Sequence, residues 1–233
     1  MNPKISIIIP ALDEAEELAA TLDALKIFAD ENVEIVLVDG GSTDATVSIA
    51  ENYDVKILHS LQRGRGRQLR IGGDAASGEI LWFLHADTIA PPDAVFEIRR
   101  ALTNPRIVGG NFTIRFDGTR FAAGFLTWLY PKLNLLGLIY GDSAIFVRRE
   151  VYEEIGGFKP FPIFEDLDFV ERLRKTGEIV TLSSVVATSS RRFENKSFLL
   201  TFLRWTILQV LYWLGVGPEN LMKIYFPSAK SEN

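Results

Sequence analysis

The apolar positions of this chain fall into short continuous runs separated by stretches with helical spacing. The runs "KISIIIP" (4–10), "VEIVLVD" (33–39), "VKILH" (55–59) and "EILWFLHAD" (79–87) are apolar on both faces, as strands covered by helices on each side must be. Between them, "EAEELAATLDALKIFA" (14–29) places Leu18, Leu22 and Leu25 on one helical face. "STDATVSIAENY" opens on a Ser/Thr/Asp cap, and "GRQLRIGGDAAS" carries a weaker helical pattern. Four β-α repeats of this kind predict right-handed crossovers and an α/β fold with a mostly parallel central sheet flanked by helices.

After Asp87 the alternation breaks. "PPDAVFEIRRALTN" (91–104) reads as a helix with proline in its first turn, and "GGNFTIRF" (109–116) as a strand with period-two alternation. The apolar stretch 121–141 is interrupted by Pro131, Lys132 and Asn134, which suits a wall or lid better than a membrane span. A strand, a helix and a glycine stop follow over 143–158, then an acid-rich helix start over 164–177. The expected organisation is one catalytic unit, 1–190, with a helical C-terminal arm, 191–233, packed on it or on a membrane surface. Within the arm, 198–217 has spanning length, but Arg204 near its middle would cost about 2.5–3.5 kcal/mol in a bilayer. That favours a buried or interfacial helix.

Composition narrows the function without naming it. A formal net charge of −5 gives no basic field for nucleic acid. The absence of cysteine removes thiolate nucleophiles, disulfides and cysteine metal sites, in keeping with a reducing compartment. The apolar run before Pro10 is too short for a signal-peptide core, so the expectation is a cytoplasmic protein, with the inner face of the membrane as an alternative location. A dehydrogenase of the G-x-G-x-x-G type and a P-loop enzyme are both excluded by the missing loops.

Ligands of open parallel sheets bind at the carboxyl ends of the strands, where strand order reverses. Acids fall at those ends: Asp13 and Glu14 after the first strand, Asp39 at the end of the second, Asp87 at the end of the fourth. Each has a plain structural alternative. Asp13 and Glu14 suit a helix N-terminus, Asp39 a turn, and Asp87 an Asx-turn before Pro91-Pro92. Together they suit an anion held through a divalent metal, since Mg²⁺ and Mn²⁺ take carboxylate, water and phosphate oxygens. His85, two residues before Asp87, is either a second ligand favouring Mn²⁺ or a packed strand-end histidine.

The blocks "SIIIPALDEAEEL", "VEIVLVDGGSTDAT", "GRGRQLRIGGDAASGEILWFLHADT", "GDSAIFVRREVYEEIGGF" and "FEDLDFVERLR" resemble, in order, a family 2 glycosyltransferase of GT-A fold, the nucleotide-diphospho-sugar transferase fold. "LHADT" and "SSRRFE" look like a compact bacterial "transferase 2" subgroup sometimes linked to arsenosugar biosynthesis. The resemblance implies a nucleotide-diphospho-sugar donor, with uridine as the expected nucleoside, a divalent cation and inverting single displacement onto a hydroxyl. By the same resemblance Pro10, Ala11, Asp13 and Glu14 line the nucleotide pocket and Asp39 accepts a hydrogen bond from the base. Asp87 matches the last acid of the family's D-x-D motif, which reaches the metal. Asp166, beside Glu165, matches the catalytic base. The chain departs from the pattern in four places: His85 stands at the first motif position, Gly40 follows Asp39, Arg70 replaces an Asn, and Thr201 replaces the Gln of the processive Q-x-x-R-W motif.

Phosphate also attracts guanidinium, which binds it bidentately. "QRGRGRQLR" (62–70) supplies Arg63, Arg65, Arg67 and Arg70, with Arg67 and Arg70, near a helix start, the stronger candidates, and Arg191-Arg192 form a second pair. Asp166 lies beside Glu165 and near Asp168, so mutual repulsion could lift a carboxyl into the range of a general base. The expected partners are the sugar donor and a hydroxyl acceptor, a small molecule or a lipid. A peripheral membrane contact and a homodimer are further options. Two rival readings remain at this point: a nucleotide-sugar-binding module without turnover, and a sugar-nucleotide pyrophosphorylase, whose glycine-rich loop is replaced here by "PALDEAEEL".

Overall fold

The computed structural model describes residues 2–118, 121–135, 137–189, 191 and 198–225, with Leu135 and Tyr225 described by backbone alone. The four opening strands form as the repeats predict: β1 (Ile5–Ala11), β2 (Val33–Asp39), β3 (Lys56–His59) and β4 (Ile80–Phe83) pair in parallel. They are joined through α1 (Leu18–Leu25), α2 (Thr46–Ala50) and α3 (Arg65–Ala75). β1 lies between β2 and β4, so chain direction around the sheet reverses there. That reversal opens a crevice at the carboxyl edge, the place where such sheets bind ligands.

The second half completes an eight-stranded sheet ordered β3-β2-β1-β4-β7-β6-β8-β5. β5 (Thr88–Ile89) and β7 (Phe146–Arg148) run antiparallel to their neighbours, while β6 (Ile107–Asp117) and β8 (Glu178–Ser189) pair in parallel. Helices α4 (Ala94–Ala101), α5 (Phe121–Leu135), α6 (Arg149–Glu154) and α7 (Glu165–Leu173) are spaced among them. The chain closes with α8 (Phe198–Trp213) and α9 (Pro218–Tyr225).

Strand periodicity divides the core. Ile5, Ile7 and Ile9 of β1 face the α1 leucines and Trp82, whereas Ile8 faces Leu81, Phe83 and Phe169 on the other side. In that second layer Phe158 and Phe169 stack with ring centres 4.1 Å apart, and Phe83 packs edge-on to both. Truncating Phe83 to alanine would cost about 3–5 kcal/mol at such a buried site.

Two boundaries differ from the sequence expectation, each for a backbone reason. β4 stops at Phe83 rather than 87, because Thr88 N–H donates to His85 C=O and closes a turn over Ala86 and Asp87. His85 and Asp87 therefore belong to a turn, and strand alternation does not govern them. The first helix begins at Leu18 rather than 14: Glu17 and Leu18 N–H both donate to Glu14 C=O in a preceding turn, and the N–H groups of Glu14 and Ala15 are capped by Thr46 of α2 and Asp44. α5 occupies most of the interrupted stretch and runs through Pro131. No helix among the described residues is long and apolar enough to cross a membrane. Instead α8 and α9 pack Leu208 and Leu221 against Ile163, Phe164 and Leu167.

Candidate active site

The site begins with two strand ends in register. Ala11 of β1 pairs with Asp39 of β2, which pairs with His59 of β3. Asp39 folds its carboxylate back on the following turn, accepting from the N–H groups of Gly41 and Ser42 at 3.0 Å each, with His59 Nδ1 3.4 Å away. Burial alone would raise this carboxyl, but the bonds from Ser42, Gly41 and His59 outweigh it and hold Asp39 below the usual range. Each oxygen of the ionised group has a second lone pair for a ligand N–H. Pro10 and Ala11 are buried at the end of β1. The crevice between the strands is closed by Gln68 of α3, whose amide donates to Ala11 C=O at 2.7 Å and to Val38 C=O at 2.8 Å.

The loops above these strands are stitched together. Asp13, in the left-handed region at φ 54°, accepts from Thr43 N–H at 2.7 Å, while its own N–H donates to Ser42 Oγ. Glu14 reaches in another direction, to an ion pair with Arg191 just past β8. Arg191 also stands 4.0 Å from Asp87 Oδ2. Asp87 is thus drawn toward Glu14 through one guanidinium. Its contact with Thr88 Oγ1, at 3.5 Å, is long as well, which leaves its oxygens with capacity for a cation.

His85 points the other way. Its Nδ1 lies 3.1 Å from Asp142 Oδ1. A methyl group added at Gly141 would sit 3.2 Å from His85 Nε2 and 3.4 Å from Asp166 Oδ2, so the imidazole and the Asp166 carboxylate flank this one glycine. The turn after β4 and the start of α7 meet there. Two non-glycine residues in left-handed conformation, Ala144 and Phe164, flank the junction. Such backbone strain gathers where a scaffold holds functional groups in place.

Asp166 is buried, and its Oδ2 and Oδ1 accept from Gly141 N–H and Leu167 N–H, both at 2.8 Å. Its carboxyl is raised above the ordinary value, chiefly by burial and then by the charge of Glu165, with Arg65 opposing. Glu165 is fully buried and ion-paired to Arg65, whose Nη2 is 3.9 Å from Asp166. Burial disfavours the Arg65 charge, but Glu165, Asp166 and Asp142 overcome it and raise its pKa further. Asp168 has no part in this: Lys159 at 2.6 Å and Arg172 at 2.6 Å neutralise it.

The structure brings together Asp166, Glu165, His85 and Arg65 on one side, and Asp87, Glu14 and Arg191 on the other. It does not bring Arg67 or Arg70 to the acids. Arg67 is exposed, and Arg70 pairs with Asp74 at 2.8 Å and with Gly156 C=O at 2.6 Å. Arg192 lies outside the described residues. The sequence reading ranked Arg65 below Arg67 and Arg70, and it missed Gln68 and Asp142. Gly66 is the signal for Arg65, since a Cβ there would lie 2.5 Å from Lys159 C=O and 3.1 Å from Glu165 Cβ. Only glycine lets α3 approach α7 closely enough for the preceding arginine to reach Glu165.

A GT-A type sheet with an acidic carboxyl edge and a buried, raised carboxyl is the frame of a sugar transferase. The chain matches the family "Glycosyl transferase family 2" over residues 6–156 and belongs to it; it is a glycosyltransferase. It is 31% identical over 200 residues to a "PGL/p-HBAD biosynthesis glycosyltransferase" of Mycobacterium bovis, covering 81% of this chain and 76% of that one. Among solved structures it resembles TarS of S. aureus, with TM-score 0.67 and 17% identity over 80% of this chain and 60% of that one. It also resembles glucosyl-3-phosphoglycerate synthase from Mycobacterium tuberculosis in complex with Mn²⁺, UDP and glucosyl-3-phosphoglycerate. There the TM-score is 0.63 and the identity 24%, over 92% of this chain and 81% of that one. These likenesses establish the GT-A fold.

Proposed function

We propose that the chain transfers a sugar from a uridine-diphosphate donor to an acceptor hydroxyl by single displacement with inversion, with Asp166 as the base. The observation that carries this is the Gly141 junction. It sets a buried carboxylate, oriented by two backbone N–H groups and raised in pKa, beside the turn that bears His85 and Asp87. A base must reach the hydroxyl and hold a pKa suited to the working pH, and burial shifts Asp166 upward in that direction. Inversion needs one such base and no covalent intermediate. Glu165 acts as a positioning residue that ties Asp166 to Arg65.

Asp39, with lone pairs to spare, would accept from a base N–H, and Pro10, Ala11, Asp13 and Glu14 would wall the nucleotide. Arg191 would turn from Glu14 and Asp87 to the diphosphate. The donor set fits a divalent ion supported mainly by the ligand. Among the described residues no group of three or more acids and histidines converges, so Asp87 would be the protein's contribution, while His85 turns to Asp142 and the Asp166 side. A bound Mn²⁺ or Mg²⁺ would act as a Lewis acid on the leaving diphosphate. Solved relatives in this fold were crystallised with UDP-GlcNAc, with UDP and Mn²⁺, and with GDP-Man and Mn²⁺, which supports the donor class. A cytoplasmic site of action belongs to the same proposal.

Calorimetric titration with UDP, GDP and dTDP, with and without Mn²⁺, tests the donor half. Metal-dependent binding of UDP that is lost in Asp87→Ala is the expected result. Binding indifferent to metal and to Asp87→Ala would remove the metal from the reading, and no binding of any nucleotide would remove the donor site.

A further inference from the structure

The two faces of α8 do different things. Trp205, Leu208 and Tyr212 turn inward onto the cluster around Phe164, the residue that precedes Glu165 and Asp166. Leu199, Leu203, Ile207, Val210 and Leu214 turn outward and are 44–75% exposed. Their spacing keeps them within roughly 80° of arc at 100° per residue, a continuous apolar stripe along the helix. Trp213, also exposed, extends it.

The stripe does not stand alone. Phe125 of α5 packs on Phe198 and Phe202 of α8 with ring centres 5.6 and 5.7 Å apart, and α5 adds two exposed aromatics, Phe121 and Trp128. The Lys132 ammonium lies 3.7 Å from the Trp128 ring centre. An exposed tryptophan carrying a lysine is the pairing expected at a lipid–water boundary, where the ring meets the headgroup level and the ammonium stays in water.

Charge selects the occupant. Residues 118–141 and 191–233 hold eight lysines and arginines against three acids, in a chain whose net charge is −5. The acidity is therefore carried by the rest of the molecule. On the described helices of this face, Arg204, Lys132 and Lys223 are the basic residues and Glu219 is the one acid. Apolar burial and attraction to anionic lipid act together on such a surface. A second copy would instead bring like charges toward one another.

We propose that the outer face of α8, with Phe121 and Trp128 of α5, docks in the plane of an anionic lipid bilayer without crossing it. Docking there seats Phe164 and the Asp166 end of α7 behind the same helix, so the transferase works at the membrane surface whichever nucleotide it uses.

Flotation of the full chain with phosphatidylcholine vesicles, pure or mixed with phosphatidylglycerol, tests this. The wild type is expected to float with the mixed vesicles and to shift its tryptophan emission to the blue, and to bind pure phosphatidylcholine more weakly. Leu203→Glu with Ile207→Glu should weaken vesicle binding more than about tenfold, while the melting temperature and the nucleotide titration stay as in wild type. Leu199→Ser with Leu214→Ser serves as a second, milder variant should the first fail to fold. No flotation of the wild type, or equal flotation of the folded variants, would overturn the proposal. So would a wild-type dimer in light scattering that these substitutions convert to monomer. Nucleotide binding is read separately, so loss of the donor reading and loss of this one give different results.

Discussion

Replacing Arg65 by methionine removes the cation that, among the described residues, the structure places between Glu165 and Asp166. Two buried carboxylates would then face each other across adjacent residues with no opposing charge. Removing one partner of a buried ion pair costs about 3–5 kcal/mol. The Arg65 side chain keeps 32% of its exposure, so some of its interaction is screened by water and the expected loss is about 2–3 kcal/mol. In a chain of 233 residues that lowers Tm by roughly 5–10 °C. The pH dependence fixes the cause. An acid whose carboxyl is raised in the folded state binds more protons folded than unfolded, so its folded form gains stability as pH falls through the raised value. Arg65→Met should raise the Asp166 carboxyl further, and the variant should recover stability on acidification from pH 7 toward 5 more than the wild type does. Adding Glu165→Gln should restore at least about 1 kcal/mol relative to Arg65→Met alone, because only one charge is then left buried. Urea unfolding at several pH values measures all three proteins. A variant as stable as wild type at pH 7, or one whose loss is the same at every pH, would refute the electrostatic account of this cluster.

Other expectations follow from single contacts. Gly66→Ala would place a Cβ 2.5 Å from Lys159 C=O, and should cost about 1–3 kcal/mol while separating Arg65 from Glu165; thermal unfolding and nucleotide release read the two effects. Glu34 accepts from Ser6 Oγ, Lys4 Nζ and Ser77 N–H, and these outweigh burial to bring its carboxyl down to about 2. Its stabilisation is complete above the unfolded carboxylate value near ~4.3 and is lost as pH falls toward about 2, so Glu34→Gln should flatten the acid limb of a stability–pH curve. Because Asp166 must be ionised to take a proton and its carboxyl is raised, the acid limb of the pH–rate profile should lie above the ordinary aspartate range, which steady-state rates between pH 4 and 8 would show.

How much of this was legible in the sequence depended on the range of the interactions. The parallel half of the sheet follows from local periodicity, and β1 to β4 lie where the apolar runs place them. The family blocks likewise mark the correct class, which the match over residues 6–156 establishes. The turn after Phe83 was hidden because an apolar run continues through Leu84, and only the Thr88 to His85 bond ends the strand. Arginine choice failed for a similar reason. Near a helix start every arginine of "RGRGRQLR" is chemically equivalent, and what singles out Arg65 is the close approach of α7, a contact 100 residues away. The raised carboxyl of Asp166 was expected from like charges, yet burial leads and Asp168 is neutralised by Lys159 and Arg172. Neither burial nor those partners can be read from neighbours in sequence.

The central claim is that Asp166 removes the acceptor proton. Asp166→Asn keeps the shape and, through its one amide oxygen, can accept from one of the Gly141 and Leu167 N–H groups while abolishing the base. The measurement is nucleotide release from a UDP-sugar, with water or an added alcohol as acceptor, beside calorimetric binding of UDP on the same samples. The expected result is a fall in release of about 10²–10⁴-fold with UDP affinity little changed. Release at the wild-type rate, with UDP still bound, would assign the proton to another group and contradict the account.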